Sequence, residues 1–366
     1  MSKTTYSVHF ASLLSIAAIV ASDTAALADE IHVPDDWPMI QMAIGVASDG
    51  DVIIVQPGEY PEQINLLGKA ITVRSTDPTN PDVVSATRIT GPTAIPTVLC
   101  KNGEGVDTVL SGFSITHLSP LASDTGMEIS DASPTVTYCV FYENVGTYGG
   151  GMRILGSSAA TISHCTFTRN EATENGGGMR IGGWSSASIT DCIFLDNSSV
   201  GRGGAIENNS NTISTFSGCV FQENDTQISG GAIFNWVNAE LIGCTFLMNS
   251  ALLGGAVYNA GQGDPAGTVQ DCLFDENTAQ HQGGALYNSS VTLTVVGCDF
   301  AGNTCGDVGG AMLNQNSDLT LDDCTFAGNY DNPLVDSIGS YNWTLDAPTP
   351  TPTGACCLGA DCMVGT

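Results

Sequence analysis

Four arginines (Arg153, Arg169, Arg180 and Arg202) and the acids Glu128, Asp131, Glu171, Glu174 and Glu207 are the side chains of this 366-residue sequence best able to do polar chemistry together. A guanidinium among carboxylates can neutralise an acidic sugar while a neighbouring group takes a proton, and glycoside hydrolysis needs two closely placed carboxyls. Arg153 and Arg180 hold the same place in Gly-Gly-Met-Arg-Ile, so they stack on one face if the chain repeats. Glu207 stands where later copies carry Phe234, Tyr258, Tyr287 or Leu313. Arg153, Arg180 and Glu207 are therefore the catalytic candidates. The plainer reading, an outward arginine pair balanced by neighbouring acids, is preferred. Trp184 and Trp236 are candidate binding platforms, although isolated exposed aromatics are common. Asp322-Asp323 is the strongest acidic pair of the regular region, and alternation turns Asp323 outward and Asp322 the opposite way; no Lys or Arg follows Arg202.

What must position these residues is a repeat. Cys-x-Phe-x-x-Asn recurs at Cys139, Cys165, Cys192, Cys219, Cys244, Cys272, Cys298 and Cys324, at intervals of 26, 27, 27, 25, 28, 26 and 26 residues. A period in the twenties means a solenoid whose units bury a core only by stacking. Cys and Phe share a strand face, so they point inward as two columns. The phenylalanine column is Phe141, Phe167, Phe194, Phe221, Phe246, Phe274, Phe300 and Phe326, and Phe113, 28 residues before Phe141, extends it by a rung. Each ring stabilises the stack by roughly 1.5–3 kcal/mol on burial. The cysteines read as a file of buried reduced thiols rather than a disulfide ladder. His117, His164 and His281 do not recur with the period, so no metal site is expected.

Asn144, Asn170, Asn197, Asn224, Asn249, Asn277, Asn303 and Asn329 follow each phenylalanine by three residues and belong at the turn ending the strand, where asparagine tolerates the left-handed conformation. Stacked amides can also bond along the axis. A second file, Asn208, Asn235, Asn259, Asn288 and Asn314, follows a Gly-Gly pair and a small strand. The glycine pairs supply positive φ or close approach of a neighbouring rung.

The ends differ from the body. Residues 1–28 read as a signal peptide, with Lys3, an apolar run from Phe10 to Ala21, and Ala26-Leu27-Ala28 before Asp29. Met39, Ile40, Ala43, Ile44 and Ala47 have helical period, giving one amphipathic capping helix near 39–47. Regular repeats fill 139–329 of a body spanning 29–346. Residues 347–353, Ala347 followed by alternating Pro and Thr, form a stiff linker, and 354–366 begin a Cys-rich tail. No transmembrane segment is expected after removal of the signal. The formal net charge of −29 makes nucleic acid and anionic membranes poor partners unless a divalent cation bridges them. No cofactor is called for, and the acidic surface leaves room for calcium.

Two resemblances carry these readings further. Ile40-Gln41-x-Ala43-Ile44 with Gly50-Asp51-x-Ile53-x-Val55-x-Pro57-Gly58-x-Tyr60 resembles the opening of pectin-lyase-like proteins, which implies an all-β, right-handed parallel β-helix with this segment as its cap. Gly204-Ala205-Ile206 with Phe221-x-x-Asn224, and Gly231-Ala232-Ile233 with Phe246-x-x-Asn249, resemble polymorphic outer-membrane protein repeats, over about 139–329. That family implies display at the bacterial outer surface and, in some members, adhesion; its members finish in a membrane β-barrel, which is not recognisable in this sequence. The resulting expectation is an exported, non-catalytic surface protein for binding, adhesion or display, with polysaccharide or cell-surface components as partners. The alternative is a polysaccharide lyase or glycoside hydrolase of the pectin-lyase-like superfamily.

Overall fold

The computed structural model describes residues 28–92, 94–117, 124–237, 239–261 and 267–331, together with the backbone of the strands Leu334–Val335, Ile338–Tyr341, Cys356–Leu358 and Asp361–Met363. The expected signal peptide, apart from residue 28, the Pro-Thr run and most of the expected Cys-rich tail lie outside the described residues. Four long sheets, here A to D, run parallel to one another's rungs with 12, 11, 11 and 9 strands, B and C having 11 each. One rung shows the path: Ser186–Thr190 in A, Ile193–Leu195 in B, Ser198–Ser199 in D and Ile206–Ser210 in C, after which the chain re-enters A one level on. The result is a right-handed parallel β-helix with very little helix.

The corners explain why the motif has its length. The residue before each column cysteine has positive φ, from Tyr138 to Asp323, and so does the residue before each ladder asparagine, from Glu143 to Gly328. A left-handed residue turns the chain sharply without adding a loop, so Cys-x-Phe-x-x is one short strand between two corners. The expectation that asparagine itself takes the left-handed conformation is thus corrected: its predecessor does, which frees the asparagine side chain to point inward. The same corner cancels the alternation expected at Asp322-Asp323, and both acids are exposed. At the D-to-C corner, Gly230 has φ +69°, and a Cβ on Gly231 would lie 2.2 Å from the Gly255 carbonyl oxygen. The two glycines therefore do different jobs, one conformational and one of close approach.

Inside, the phenylalanine rings from Phe141 to Phe326 stack with centroids 4.7–5.0 Å apart and interplanar angles of 2–9°. That separation is the rung spacing, so the backbone ladder sets the stack. Phe113 does not belong to this column: Ile115 pairs with Phe141, and Val140 N–H donates to the Phe113 carbonyl as Thr166 N–H does to that of Cys139. Phe113 therefore heads the cysteine column, because the rung is 26 residues long rather than 28. The ten cysteines from Cys100 to Cys324 are free, and nine of them are buried. Burial pushes the Cys100 and Cys165 thiols well up and that of Cys305 to about 12, keeping them protonated. Sγ of Cys219 lies 3.5 Å from the carbonyl oxygens of both Ile189 and Ser217.

The amides of the ladder from Asn144 to Asn329 bond along the axis. Asn224 Nδ2 donates to the Phe194 carbonyl at 2.9 Å and to Asn249 Oδ1 at 3.0 Å, and the pattern runs from Asn144 to Asn329. His117 stands at the head of the ladder, its Nδ1 3.0 Å from Asn144 Oδ1. The second file bonds amide to amide from Asn208 to Asn314, leaving Asn208 Oδ1 and Asn314 Nδ2 at its two ends without a partner among the described residues.

The N-terminal end is closed by helix α1, Ile40–Val46, which buries Ile40, Ala43 and Ile44 over the first strands. Met39 lies just outside it and is exposed. Its capping comes from rungs beyond: Glu62 accepts from Ile40 and Gln41 N–H, and Lys69 Nζ donates to the carbonyls of Ile44, Gly45 and Ala47. A second helix, α2 (Pro81–Ala86), was not expected; Asn80 caps it by accepting from Asp82 N–H, with proline in the first turn.

Candidate functional site

The in-register pairing of sheet C puts Glu128, Arg153, Arg180, Glu207, Phe234, Tyr258 and Tyr287 in one outward row, one residue per rung. Their neighbours in sequence, such as Ile154, Ile181 and Asn208, alternate inward and are buried. The row begins charged and becomes aromatic: Phe234 and Tyr258 stack at 5.4 Å, Tyr258 and Tyr287 at 4.7 Å.

Within the charged part every group has an opposite. Arg153 Nη2 bonds Glu128 and lies 3.6 Å from Asp124 Oδ1. Arg180 Nε is 2.8 Å from Glu207 Oε2, an ion contact not aligned as a hydrogen bond. The Arg180 guanidinium also lies over the Tyr148 ring at 4.3 Å, and that of Arg202 over Phe234 at 4.7 Å. Glu207 is the most enclosed acid of the group, its side chain 1% exposed. Burial raises its pKa, and Arg180 opposes that rise. Tyr148 is raised chiefly by its hydrogen bond to the Glu174 carboxylate.

Arg153, Arg180 and Glu207 are thus brought together, and Arg202 joins them from the D-to-C corner. Arg169 is not part of the group, since it pairs with Glu143 at 2.9 Å on an exposed corner. Asp131 is drawn into a turn, where Oδ1 accepts from Ser157 N–H, and Glu171 is exposed on sheet D. Trp236 lies on the same face, its ring 6.5 Å from Phe234 and the residue 42% exposed; Trp184, 67% exposed, stands at the end of its sheet C strand. Asp124 and Tyr148 were missed by sequence reasoning. Tyr148 had a signal, for it precedes a glycine pair as Arg202 does. Among the described residues no group of three or more His, Cys, Asp or Glu is placed to hold a metal ion, and no helix is long and apolar enough to cross a membrane.

The family model described as "Right handed beta helix region" matches residues 100–246, and that of the Chlamydia polymorphic membrane protein repeat matches residues 271–289. No curated protein matches the sequence. Among solved structures, the chain is similar to a mannuronic acid specific polysaccharide family 6 lyase from human gut microbiota, with TM-score 0.44 and 13% identity over 81% of each chain. It is also similar to the tailspike protein gp49 of Acinetobacter baumannii bacteriophage Fri1, a capsular polysaccharide depolymerase, with TM-score 0.44, 13% identity, and 88% of this chain spanning 62% of that one. The chain is a right-handed parallel β-helix that carries a repeat of the polymorphic membrane protein type.

Proposed function

We propose that the chain is an exported, non-catalytic binding protein displayed at the cell envelope. On this reading residues 1–28 are a cleaved signal, 29–346 the β-helix, 347–353 a tether and 354–366 the start of a Cys-rich module. The membrane-protein repeat matched at 271–289 supports surface display. The observation that carries the non-catalytic part is the mutual pairing on sheet C: Arg153 with Glu128 and Asp124, and Arg180 with Glu207. A guanidinium already matched by a carboxylate has little capacity to neutralise charge developing on a substrate.

The second reading is a polysaccharide-cleaving enzyme, favoured by one feature: Glu207 is buried with a raised pKa beside Arg180, the environment of a general acid. Incubating the purified protein with acidic and neutral polysaccharides, with and without calcium, decides between them. The expected result is no new reducing or unsaturated ends. Cleavage that disappears in Arg180→Ala and Glu207→Gln would overturn the proposal and make this row an active site.

A further inference from the structure

The outward face of sheet A carries a block of hydroxyls in two columns. Thr135, Thr161, Ser188 and Thr215 pair in register on successive rungs, and two residues along each strand Thr137, Ser163, Thr190 and Ser217 do the same, with no register shift. The residues between the columns, Val136, Ile162, Ile189 and Phe216, point into the bore and are buried, which holds both columns outward. Thr161 and Ser188 are exposed and the other six are half-buried, as neighbours in a close-set array must be. Within the array the Ser163 hydroxyl donates to Thr137 Oγ1 at 3.1 Å. The block ends at the next rung, where Glu240 and Ile242 replace the pair and Glu240 Oε2 accepts from the Thr215 hydroxyl.

Strand propensity favours threonine on any pleated surface, but it does not sort hydroxyls to one face. At the same levels sheet B turns Tyr142, Ile193, Leu195 and Gln222 outward, and sheet C turns Arg153, Arg180 and Glu207. The sheet A block is free of charge in a chain whose formal net charge is −29. Its geometry is a rigid lattice, about 4.8 Å between rungs and about 6.6 Å between columns. Both repeats lie close to the oxygen repeats on a prism face of hexagonal ice. An ionic group is a poor partner for ice, because the crystal has no room for its hydration shell; a hydroxyl can take the place of a lattice water, and a threonine methyl can sit in the hollow beside it. A sugar ring would call for an aromatic platform, and the block contains only Thr and Ser. A second copy would bring its own large negative charge against this one.

We propose that this face of sheet A binds ice, its hydroxyl columns lying in register with the water lattice of the crystal. The inference goes beyond the display role and concerns a different sheet from the charged row. The test grows ice slowly through a dilute solution of labelled protein and measures the fraction taken into the crystal, with the coarsening of fine-grained ice as a second readout. The intact protein is compared with Ser188→Lys and Ser188→Thr, inside the block, and with Gln222→Lys, which adds the same charge on sheet B. Both positions face outward, and the thermal midpoint of each variant is the control for folding. Uptake into ice and slowed coarsening are expected for the intact protein, Ser188→Thr and Gln222→Lys, with both lost in Ser188→Lys. Exclusion of the intact protein from ice, or equal uptake by all four proteins, would overturn the assignment. So would retention on microcrystalline cellulose without uptake into ice, which gives the face to a glycan, or self-association abolished by Ser188→Lys without uptake, which gives it to a second copy. Each of these leaves the display role standing, whereas cleavage of a dissolved polysaccharide removes that role and leaves this one.

Discussion

The side chain of Asn224 makes four hydrogen bonds in the bore: Nδ2 donates to Phe194 O and Asn249 Oδ1, and Oδ1 accepts from the backbone N–H and the Nδ2 of Asn197. Asn224→Ala leaves the Asn197 N–H and the Phe194 carbonyl buried without these partners. The expected loss is about 2–3 kcal/mol in chemical denaturation; a loss below about 0.5 kcal/mol would mean the ladder is incidental to stability. Glu207 is the opposite case, a buried group whose charge works against the fold. Its folded pKa lies above the ordinary glutamate value of 4.5 because burial disfavours the carboxylate, despite Arg180. Below about pH 4.5 the carboxyl is protonated in both folded and unfolded chains. As pH rises from there to the raised folded value, the unfolded chain ionises first and this group's contribution falls. The difference in thermal midpoint, Glu207→Gln minus wild type, should therefore increase with pH across that window and then level off. A difference that is flat, or that decreases, would show that the pairing with Arg180 outweighs burial.

Helix α1 is seven residues long, too short to persist alone, so its place depends on the groups that cap it and the core it covers. Lys69 reaches three of its terminal carbonyls, at 2.6, 2.9 and 2.7 Å, and Glu62 meets two N–H groups at the other end. Lys69→Met should cost about 2 kcal/mol and raise amide exchange first in Glu30–Val33 and Val52–Val55, with Cys192–Asn249 unaffected. Uniform acceleration along the whole chain would show that the cap is not a separate unit. None of these capping partners can be read from the helix itself, because they come from residues about 20 positions on. The repeating elements were more legible. A strict Cys-x-Phe-x-x-Asn period reveals the solenoid, its inward columns and the stacking of Arg153 on Arg180. Legibility ended where the rung length drifts: counting 28 residues back from Phe141 misplaced Phe113, since only the hydrogen-bond register shows that rung to be 26 long. The enclosure of Glu207 was also hidden. It follows from Arg180 folding between Tyr148 and Glu207, a side-chain arrangement that no spacing encodes.

At the scale of the whole molecule, charge repulsion works against the stacked core. Thirty-eight acids face nine Lys and Arg, and several of those bases are committed to pairs such as Arg88 with Glu59 and Arg169 with Glu143. Rungs about 4.8 Å apart hold like charges on successive levels well within a Debye length at low ionic strength. Folding therefore concentrates negative charge that the unfolded chain disperses. Raising NaCl from about 10 mM to about 500 mM should raise the thermal midpoint, and substitutions confined to the bore should leave that increment unchanged. Calcium distinguishes screening from a site. With no metal cluster among the described residues, calcium at matched ionic strength should stabilise no more than magnesium does. A calcium-specific rise at submillimolar concentration would instead mean that acids from successive corners converge on a cation, and the acidic surface would then be a ligand set rather than a source of repulsion.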